Sequence, residues 1–296
     1  MKKILLGAML LTGTSLFAQD SAKTETPKPN PFSFSGYVEA FYQYDFNKPK
    51  DNNRPGFIYS HNRHNEFNLN LGFLKGSYNA ERVRANLAIA AGTYMNANYA
   101  AETGVLKNVY EANAGLKISK KKNLWIDAGI FSSHIGFESA VSKDCWTLTR
   151  SILADNSPYF ESGAKLTYTS DNNKWLVSGL VLNGWQRIKR VDANSLMSYG
   201  TQLQYKPNSN VTLNYSTFIG TDKPDSARLW RYFHNVYGVI NVTGKFGITA
   251  GFDIGSEQKT KGSNDFNTWY SPVLILKYAV TTKLAIAARG EYYDDK

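Results

Sequence analysis

The sequence predicts an all-β protein, a transmembrane antiparallel up-and-down β-barrel. Three observations predict it. Apolar and polar residues alternate with a period of two over most of the chain, which is typical of strands that have two different faces. The alternating stretches mostly have about 10–13 residues, close to the ~9–11 of a tilted strand crossing a bilayer and longer than the ~5–6 of soluble sheets. Long and short connections between them alternate without a break.

Composition excludes several classes of protein. The chain has 296 residues, of which 42% are hydrophobic and 14% aromatic, and this aromatic content argues against disorder. The single cysteine leaves no disulfide framework and no second thiol for a zinc site, and we expect no metal or cofactor. The formal charge of +10 falls mainly in the predicted turns and loops, so we expect no nucleic-acid partner.

The N-terminus indicates export. Two lysines precede an apolar run at 4–17, which is too short to span a membrane but is typical of a secretory signal peptide. We predict a cleaved signal peptide at 1–18, a proline-rich periplasmic linker at 19–31 and a barrel at 32–296, located in the outer membrane of a Gram-negative bacterium.

The alternating pattern defines thirteen strands. Residues 66–73, for example, place four apolar side chains on one face and polar or glycine residues on the other. Six long connections alternate with six short ones, as extracellular loops and periplasmic turns do in outer-membrane barrels. The predicted strands are 33–44, 66–78, 82–92, 109–118, 124–131, 160–169, 175–185, 198–206, 211–220, 232–242, 246–256, 268–279 and 284–293.

The last predicted strand runs outward, and the sequence ends where an extracellular loop is expected. Bacterial single-chain barrels have even strand numbers. We therefore predict a C-terminally truncated chain whose complete barrel has sixteen strands. The alternative is that one strand has been missed, in 93–118 or 132–159.

Aromatic residues gather near the predicted strand ends. Such a distribution is typical of the two girdles at the membrane interfaces, although tyrosine and tryptophan also favour strands in general. The residues assigned to the girdles are Tyr42, Tyr44, Tyr78, Tyr94, Trp125, Tyr168, Trp175, Trp185, Tyr205, Trp269, Tyr270, Tyr292 and Tyr293.

Charged residues occupy the less apolar face of the strands, which favours a water-filled lumen. Arg82 and Arg84 are the best candidates for an electrostatic filter, and salt bridges from them to Glu66 or Glu111 are an equally good interpretation. The candidate pore-lining residues are Glu66, Arg82, Arg84, Glu111, Lys117, Asp127, Glu161 and Lys165.

The longest connection, 132–159, contains more apolar residues than a solvated loop usually keeps. We predict that it folds inward and narrows the pore, with a helical turn near Leu148–Leu153, because long loops without structure are uncommon. The alternative is that it packs over the barrel mouth or against a partner. Cys145 lies within it; a lone half-buried cysteine is the preferred interpretation, and a disulfide between chains in an oxidising compartment is the alternative. The candidate constriction residues are Trp146, Arg150, Leu153 and Asp155.

Two local groups of residues suggest a metal site and a hydrolase site, and we favour neither interpretation. His61 and His64 are three residues apart, but no third firm ligand is near, and a solvated loop is the preferred interpretation. Ser133 and His134 invite comparison with outer-membrane hydrolases, yet adjacent residues at a strand end point in different directions and no orienting partner is identifiable. We expect no enzyme activity.

Three stretches, 124–136, 146–159 and 178–185, resemble segments of the beta-barrel porins of the OmpL-like family. The resemblance implies an outer-membrane, porin-like barrel and supplies no substrate.

The function predicted from these observations is passive diffusion of ions or small polar solutes. The expected partners are membrane lipid, lipopolysaccharide and those solutes, with a homo-oligomer possible. The first alternative is a non-conducting adhesin, receptor or structural barrel, and the second is an outer-membrane hydrolase.

Overall fold

The computed structural model describes residues 30–295, so the predicted signal peptide at 1–18 and most of the linker at 19–31 lie outside the described residues. Fourteen antiparallel strands form one sheet in up-and-down order, with each of the first thirteen beside its neighbour in sequence. The strands are β1 Phe32–Tyr42, β2 Phe67–Asn79, β3 Val83–Ala91, β4 Val109–Lys117, β5 Asn123–Ser132, β6 Phe160–Thr169, β7 Trp175–Leu182, β8 Ser198–Asn208, β9 Val211–Gly220, β10 Arg231–Asn241, β11 Phe246–Gln258, β12 Phe266–Ala279, β13 Ala285–Glu291 and β14 Asp294–Asp295.

The predicted fold class and all thirteen predicted strands are confirmed. The last predicted strand is interrupted after Glu291, and its continuation, β14, pairs with Trp269 and Tyr270 of the same neighbour, β12. Across residues 30–295 the sheet is not closed, and β1 and β13 are its two ends. The prediction of sixteen strands stays a prediction.

The two faces of the sheet differ as the period-two pattern requires. On β12, Val273 and Ile275 are buried, whereas Leu274 and Leu276 between them are exposed. We call the buried side the inner face and the exposed apolar side the outer face. Apolar side chains that point outward suit contact with lipid, and this pattern recurs on β10 and β11.

Aromatic side chains follow the girdle prediction only in part. Trp175 and Tyr205 stack on neighbouring strands near the short-turn end, with ring centroids 4.2 Å apart, and Trp175 is exposed. Tyr94 is fully buried instead, so its assignment to a girdle is wrong. It lies in a helix that the sequence analysis missed, α1 (Thr93–Asn98), and faces the Tyr99 and Tyr159 rings.

Short helical pieces occur in the long connections. A second α-helix, α2, spans Ile152–Asp155, and the Ser151 hydroxyl caps its N-terminus by accepting from the Ala154 amide at 3.2 Å. It overlaps the predicted helical turn only at its first two residues. Between residues 30 and 295, no helix is long and apolar enough to cross a membrane.

Candidate functional site

Five neighbouring strands, β2 to β6, place polar side chains side by side on the inner face. The pairing register aligns them in three rows across the sheet. We call this set the polar ladder, and its members are Lys75, Ser77, Arg84, Asn86, Glu111, Asn113, Asp127 and Lys165.

The first row joins Arg84 to Asp127 across an intervening strand. Arg84 is in register with Gly115 of β4, and Gly115 is in register with Asp127 of β5. Arg84 Nε donates to Asp127 Oδ1 at 2.6 Å, and Nη2 donates to the other carboxylate oxygen, so the pair is bidentate. A Cβ at Gly115 would lie 2.1 Å from Asp127 Oδ1. The glycine therefore leaves the space through which the two side chains meet.

The second row repeats this arrangement. Lys75 of β2 and Glu111 of β4 are both in register with Ala88 of β3, which is buried. The Lys75 ammonium donates to Glu111 Oε2 above this small side chain. In both rows a small residue on the middle strand lets a cation and an anion from the outer two strands form an ion pair.

The third row is made of amides. Ser77 Oγ donates to Asn86 Oδ1 at 2.8 Å, and Asn86 Nδ2 donates to Asn113 Oδ1 at 3.1 Å. Asn113 Nδ2 in turn donates to the Ile130 carbonyl at 2.8 Å. Each asparagine amide thus both donates and accepts a hydrogen bond. Asn113 Nδ2 also donates to Glu111 Oε1 at 3.2 Å, which links this row to the second one.

Lys165 extends the first row to β6, where it is in register with Asp127. Its ammonium lies 4.6 Å from the centroid of the Phe131 ring. Together with its neighbours it borders a cavity of about 350 Å³ on the inner face. The cavity is lined by Asn79, Arg84, Asn86, Glu111, Asn113, Asp127, Phe131, Ser132 and Lys165.

Four candidate pore-lining residues lie outside the ladder: Glu66, Arg82, Glu161 and Lys117, which is the half-buried last residue of β4. Glu66 precedes β2 and pairs with Arg63 at 2.8 Å. Arg82 is exposed just before β3 and donates to the Lys117 carbonyl at 3.3 Å. The alternative of salt bridges from the two arginines to Glu66 or Glu111 is wrong in its partners, because Arg84 pairs with Asp127.

Glu161 is buried on β6 and holds His134, which follows β5. His134 Nδ1 lies 2.9 Å from Glu161 Oε2, and Nε2 lies 2.9 Å from the Thr217 carbonyl. Burial opposes the imidazolium charge, but the Glu161 carboxylate and the Thr217 carbonyl outweigh it and raise the pKa of His134. Ser133 Oγ accepts from the Ile135 amide instead, so within the described residues neither ring nitrogen of His134 meets a serine hydroxyl.

Residues 133–159, here called the inner segment, lie against the inner face of both early and later strands. Ala140 and Val141 share a buried apolar cluster with Leu71 of β2 and Ala90 of β3. Leu153 is buried against Val273 and Ile275 of β12. Trp146 packs on Gly247 of β11, where a Cβ would lie 2.5 Å from its ring. These contacts place two of the four candidate constriction residues on the inner face.

Polar contacts tie the inner segment to β13. The Ile152 amide donates to Glu291 Oε2 at 2.7 Å. Arg289 Nη1 donates to Thr147 Oγ1 at 3.1 Å, and Nη2 donates to Thr149 Oγ1 at 3.2 Å. The segment is therefore attached at a strand well over a hundred residues further along the chain.

Arg150 organises the inner segment from within. Its guanidinium is buried and donates to the Ser139 carbonyl at 2.6 Å and to the Ala140 carbonyl at 3.2 Å. Ser142 Oγ accepts a further bond at 2.9 Å. Arg150 thus stabilises the fold of the segment and does not present its charge to a solute.

Asp155 joins the inner segment to the first long loop. Its Oδ2 accepts from the Tyr59 amide at 3.2 Å, and its Oδ1 accepts from the Tyr159 hydroxyl at 3.1 Å. Burial raises the pKa of Asp155 to about 6, because two hydrogen bonds only partly replace the water that the carboxylate loses.

The two histidines of the first loop are buried, so the prediction of solvated residues is wrong for these two side chains, although most of the loop around them is exposed. His61 Nε2 lies 2.9 Å from Glu39 Oε1, and His64 Nδ1 accepts from the Asp45 amide at 2.7 Å. The sequence gives no sign of this burial beyond the aromatic residues nearby. Within residues 30–295, no group of three or more potential metal ligands is assembled.

Comparison with known families identifies the class of protein. Residues 31–296 match the family described as "Putative beta-barrel porin-2, OmpL-like". The chain belongs to this family. Membership of the OmpL-like porin family confirms the predicted resemblance and indicates an outer-membrane β-barrel.

Among the solved structures to which the chain is similar are two forms of an outer-membrane protein of Vibrio cholerae. A loop L8 deletion mutant of OmpT has 8% sequence identity and a TM-score of 0.47, and the match covers 90% of this chain and 95% of that one. OmpT in its trimer form has 9% identity and a TM-score of 0.46, with 89% of each chain covered. No curated protein matches the chain.

Proposed function

We propose that this protein is a passive, non-enzymatic channel of the outer membrane for ions or small polar solutes. The observation that carries the proposal is the polar ladder, where three cations and two carboxylates share the inner face with a row of amides. A lumen sealed by apolar packing would not keep so many charged groups, because each charge needs water or a partner. A hydrated passage provides that water.

The inner segment is the proposed constriction. Leu153 and Trp146 hold it on the inner face of β11 and β12, and Ile152 ties it to β13. It therefore takes up lumen space beside β11 and β12 and also beside β2 and β3, where Ala140 and Val141 are buried, while ladder residues of β3 to β6 still line a cavity. We propose that solutes pass between the ladder and the segment.

The alternative function is a non-conducting binding or structural barrel. The specific observation that favours it is that several hydrogen bonds attach the inner segment to β13. They are made by Arg289 and Glu291. A segment held this firmly could close the lumen. A hydrolase has no such support, since both ring nitrogens of His134 are engaged by Glu161 and Thr217.

Single-channel recording in planar lipid bilayers tests the proposal. Purified, folded protein is expected to give discrete current steps in potassium chloride, and a variant lacking the middle of the inner segment is expected to give larger ones. No steps above background from either protein would overturn the channel and leave the binding barrel.

Two further expectations have their own tests. Chemical cross-linking in detergent tests whether the protein forms a homo-oligomer. Mass spectrometry of the exported protein tests whether residues 1–18 are removed.

A further inference from the structure

A second cavity lies on the inner face, at the end of the sheet that carries the long connections. It has a volume of about 280 Å³ and is bordered by Trp185, which follows β7, and by Trp269 of β12. The register places Trp269 in the same row as Phe233, which is buried on the inner face. Both tryptophans are half-buried and line the cavity, so part of each indole is open to a solute.

Packing holds the two indole rings in place. Trp269 lies over Gly255 of β11, where a Cβ would be 2.1 Å from its Cζ2, and its ring centroid is 6.3 Å from that of Phe233. The Trp185 ring meets the rings of Phe233 and Phe218 edge to face, at centroid distances of 4.8 and 4.9 Å. A solute that packs on these rings does not have to order them first, which lowers the entropic cost of binding.

The charges at the cavity favour a neutral solute. Arg231 Nη2 donates to Glu257 Oε2 at 2.6 Å, and its Nη1 lies 3.5 Å from Asp222 Oδ2, so the guanidinium is already paired. An anion would meet the Glu257 carboxylate, which also borders the cavity. The guanidinium lies 5.2 Å from the centroid of the Trp185 ring and 5.9 Å from that of Trp269, so it would repel an organic cation from the indole faces.

Polar side chains at the edge of the cavity have unused hydrogen-bonding groups. Within residues 30–295, the Asn267 amide, the Asp295 carboxylate and the Trp269 indole N–H form no side-chain hydrogen bond, although all three residues border the cavity. Asn267 is in register with Glu257, so its amide lies beside the ion pair of that residue. An amide donates and accepts, a carboxylate accepts, and an indole N–H donates. Hydroxyl groups, which donate and accept, match this mixture.

We propose that this cavity binds one ring of a neutral saccharide. A sugar ring of the gluco configuration carries hydroxyls around its edge and C–H groups on its two faces. One face then packs on the indoles of Trp185 and Trp269, and hydroxyls bond to Asn267 and Asp295, as aromatic walls and a few polar groups orient ligands in other pockets. The inference rests on the proposed channel function, which brings small polar solutes to this end of the inner face, and it names their class.

Ligand-observed NMR of the purified, folded protein in deuterated detergent tests the proposal, because saturation transfer detects weakly bound ligands. The probes are maltotriose, cellotriose and triacetylchitotriose, with choline and acetate as charged comparisons. We expect at least one trisaccharide to bind through its ring C–H protons and neither charged probe to displace it. The inference is overturned if none of the three trisaccharides binds, or if choline or acetate binds in their place.

Trp269→Ala is expected to weaken binding of the trisaccharide about tenfold or more, because the aromatic wall is lost. Trp175→Ala is the matched control, since Trp175 is exposed on the outer face at the short-turn end, and it is expected to bind as the wild type does. Wild-type affinity in Trp269→Ala, still folded by its heat-modifiable mobility in gels, overturns the inference.

Asn267→Ala keeps the test decisive if Trp269→Ala does not fold. Asn267 is exposed and its amide forms no hydrogen bond with the described part of the chain, so alanine is expected to leave the fold unchanged. Loss of one hydrogen bond to the sugar is expected to weaken binding about threefold to tenfold. Unchanged affinity in this variant then overturns the saccharide site.

The outcome is separable from that of the channel proposal. A wild type that conducts in bilayers but binds no trisaccharide overturns the saccharide site and leaves the channel. A wild type that binds a trisaccharide through Trp269 and gives no current steps overturns the channel, and the site then belongs to a binding barrel.

Discussion

Arg84 and Asp127 form a bidentate ion pair although a whole strand separates them. The pair exists because Gly115, between them in the register, has no side chain, so the arginine reaches across β4. One interaction thereby links β3, β4 and β5 on the inner face. The Asp127 side chain is 6% exposed and that of Arg84 is 33% exposed, so the pair is only partly screened by solvent.

Replacing Arg84 by Met is expected to lower the free energy of unfolding by about 2–3 kcal/mol, because the buried Asp127 carboxylate loses its partner. Urea unfolding in detergent micelles measures the change. The double variant Arg84→Met, Asp127→Leu is expected to recover most of it, since neither charge is then left alone. A double variant no more stable than Arg84→Met would contradict this account of the pair.

Leu153 and Leu148 offer a matched comparison within the inner segment. Leu153 is 1% exposed against β12, whereas Leu148 is 77% exposed. Leu153→Ala is expected to cost about 2–4 kcal/mol and to release part of the segment, which raises single-channel conductance. Leu148→Ala is expected to leave both quantities close to the wild type. Equal conductance of the two variants would show that packing of the segment does not limit current.

Gly247→Val tests the packing of the Trp146 ring on β11. A Cβ at Gly247 would lie 2.5 Å from the Trp146 ring, so valine is expected to displace the ring from β11. Gly179→Val is the control, since no atom lies within 4 Å of a Cβ built there. Limited proteolysis is expected to cleave the inner segment faster in Gly247→Val alone. Identical cleavage rates would mean that Trp146 does not hold the segment.

Asp155 is expected to make the stability of the protein depend on pH. Its pKa of about 6 in the folded protein exceeds the ordinary value of about 3.9 in an unfolded chain, so folding favours the protonated form. The stabilisation is fully present below pH ~3.9 and is lost as the pH rises through about 6. Relative to Asp155→Asn, which does not titrate, the wild type should lose up to about 3 kcal/mol between pH 4 and pH 7.

Urea unfolding of both proteins at several pH values checks this prediction. Asparagine keeps one oxygen acceptor for the Tyr59 amide or the Tyr159 hydroxyl, so the comparison changes the charge more than the packing. Stability curves that run parallel from pH 4 to pH 7 would rule out Asp155 as the titrating group.

The sequence predicts the sheet well because alternation is a local property. Side chains such as Val273 and Leu274 point to opposite faces whatever their neighbours are, so thirteen strands could be placed. Helix α1 was missed because the burial of Tyr94 depends on its contact with Tyr159, which is far along the chain and is brought close only by folding.

The candidate site was less predictable because ion pairs depend on register. Arg84 was correctly placed on the strand face that carries the charges, but its partner could be found only once β3, β4 and β5 were aligned. Gly115 is the signal that was overlooked, since a glycine between two charged positions marks a place where side chains from the flanking strands can meet. Burial of His61 against Glu39 likewise depends on β1 lying beside the first loop.

The attachment of Ile152 to Glu291 spans 139 residues and has a consequence for assembly. The inner segment is synthesised with the middle strands, yet part of its binding surface is supplied by β12 and β13. Contacts between such distant residues form late, because the intervening chain must be ordered first. During insertion into the membrane the nascent barrel is therefore expected to pass through a stage with the segment undocked, and docking of the segment reports that β12 and β13 are in place.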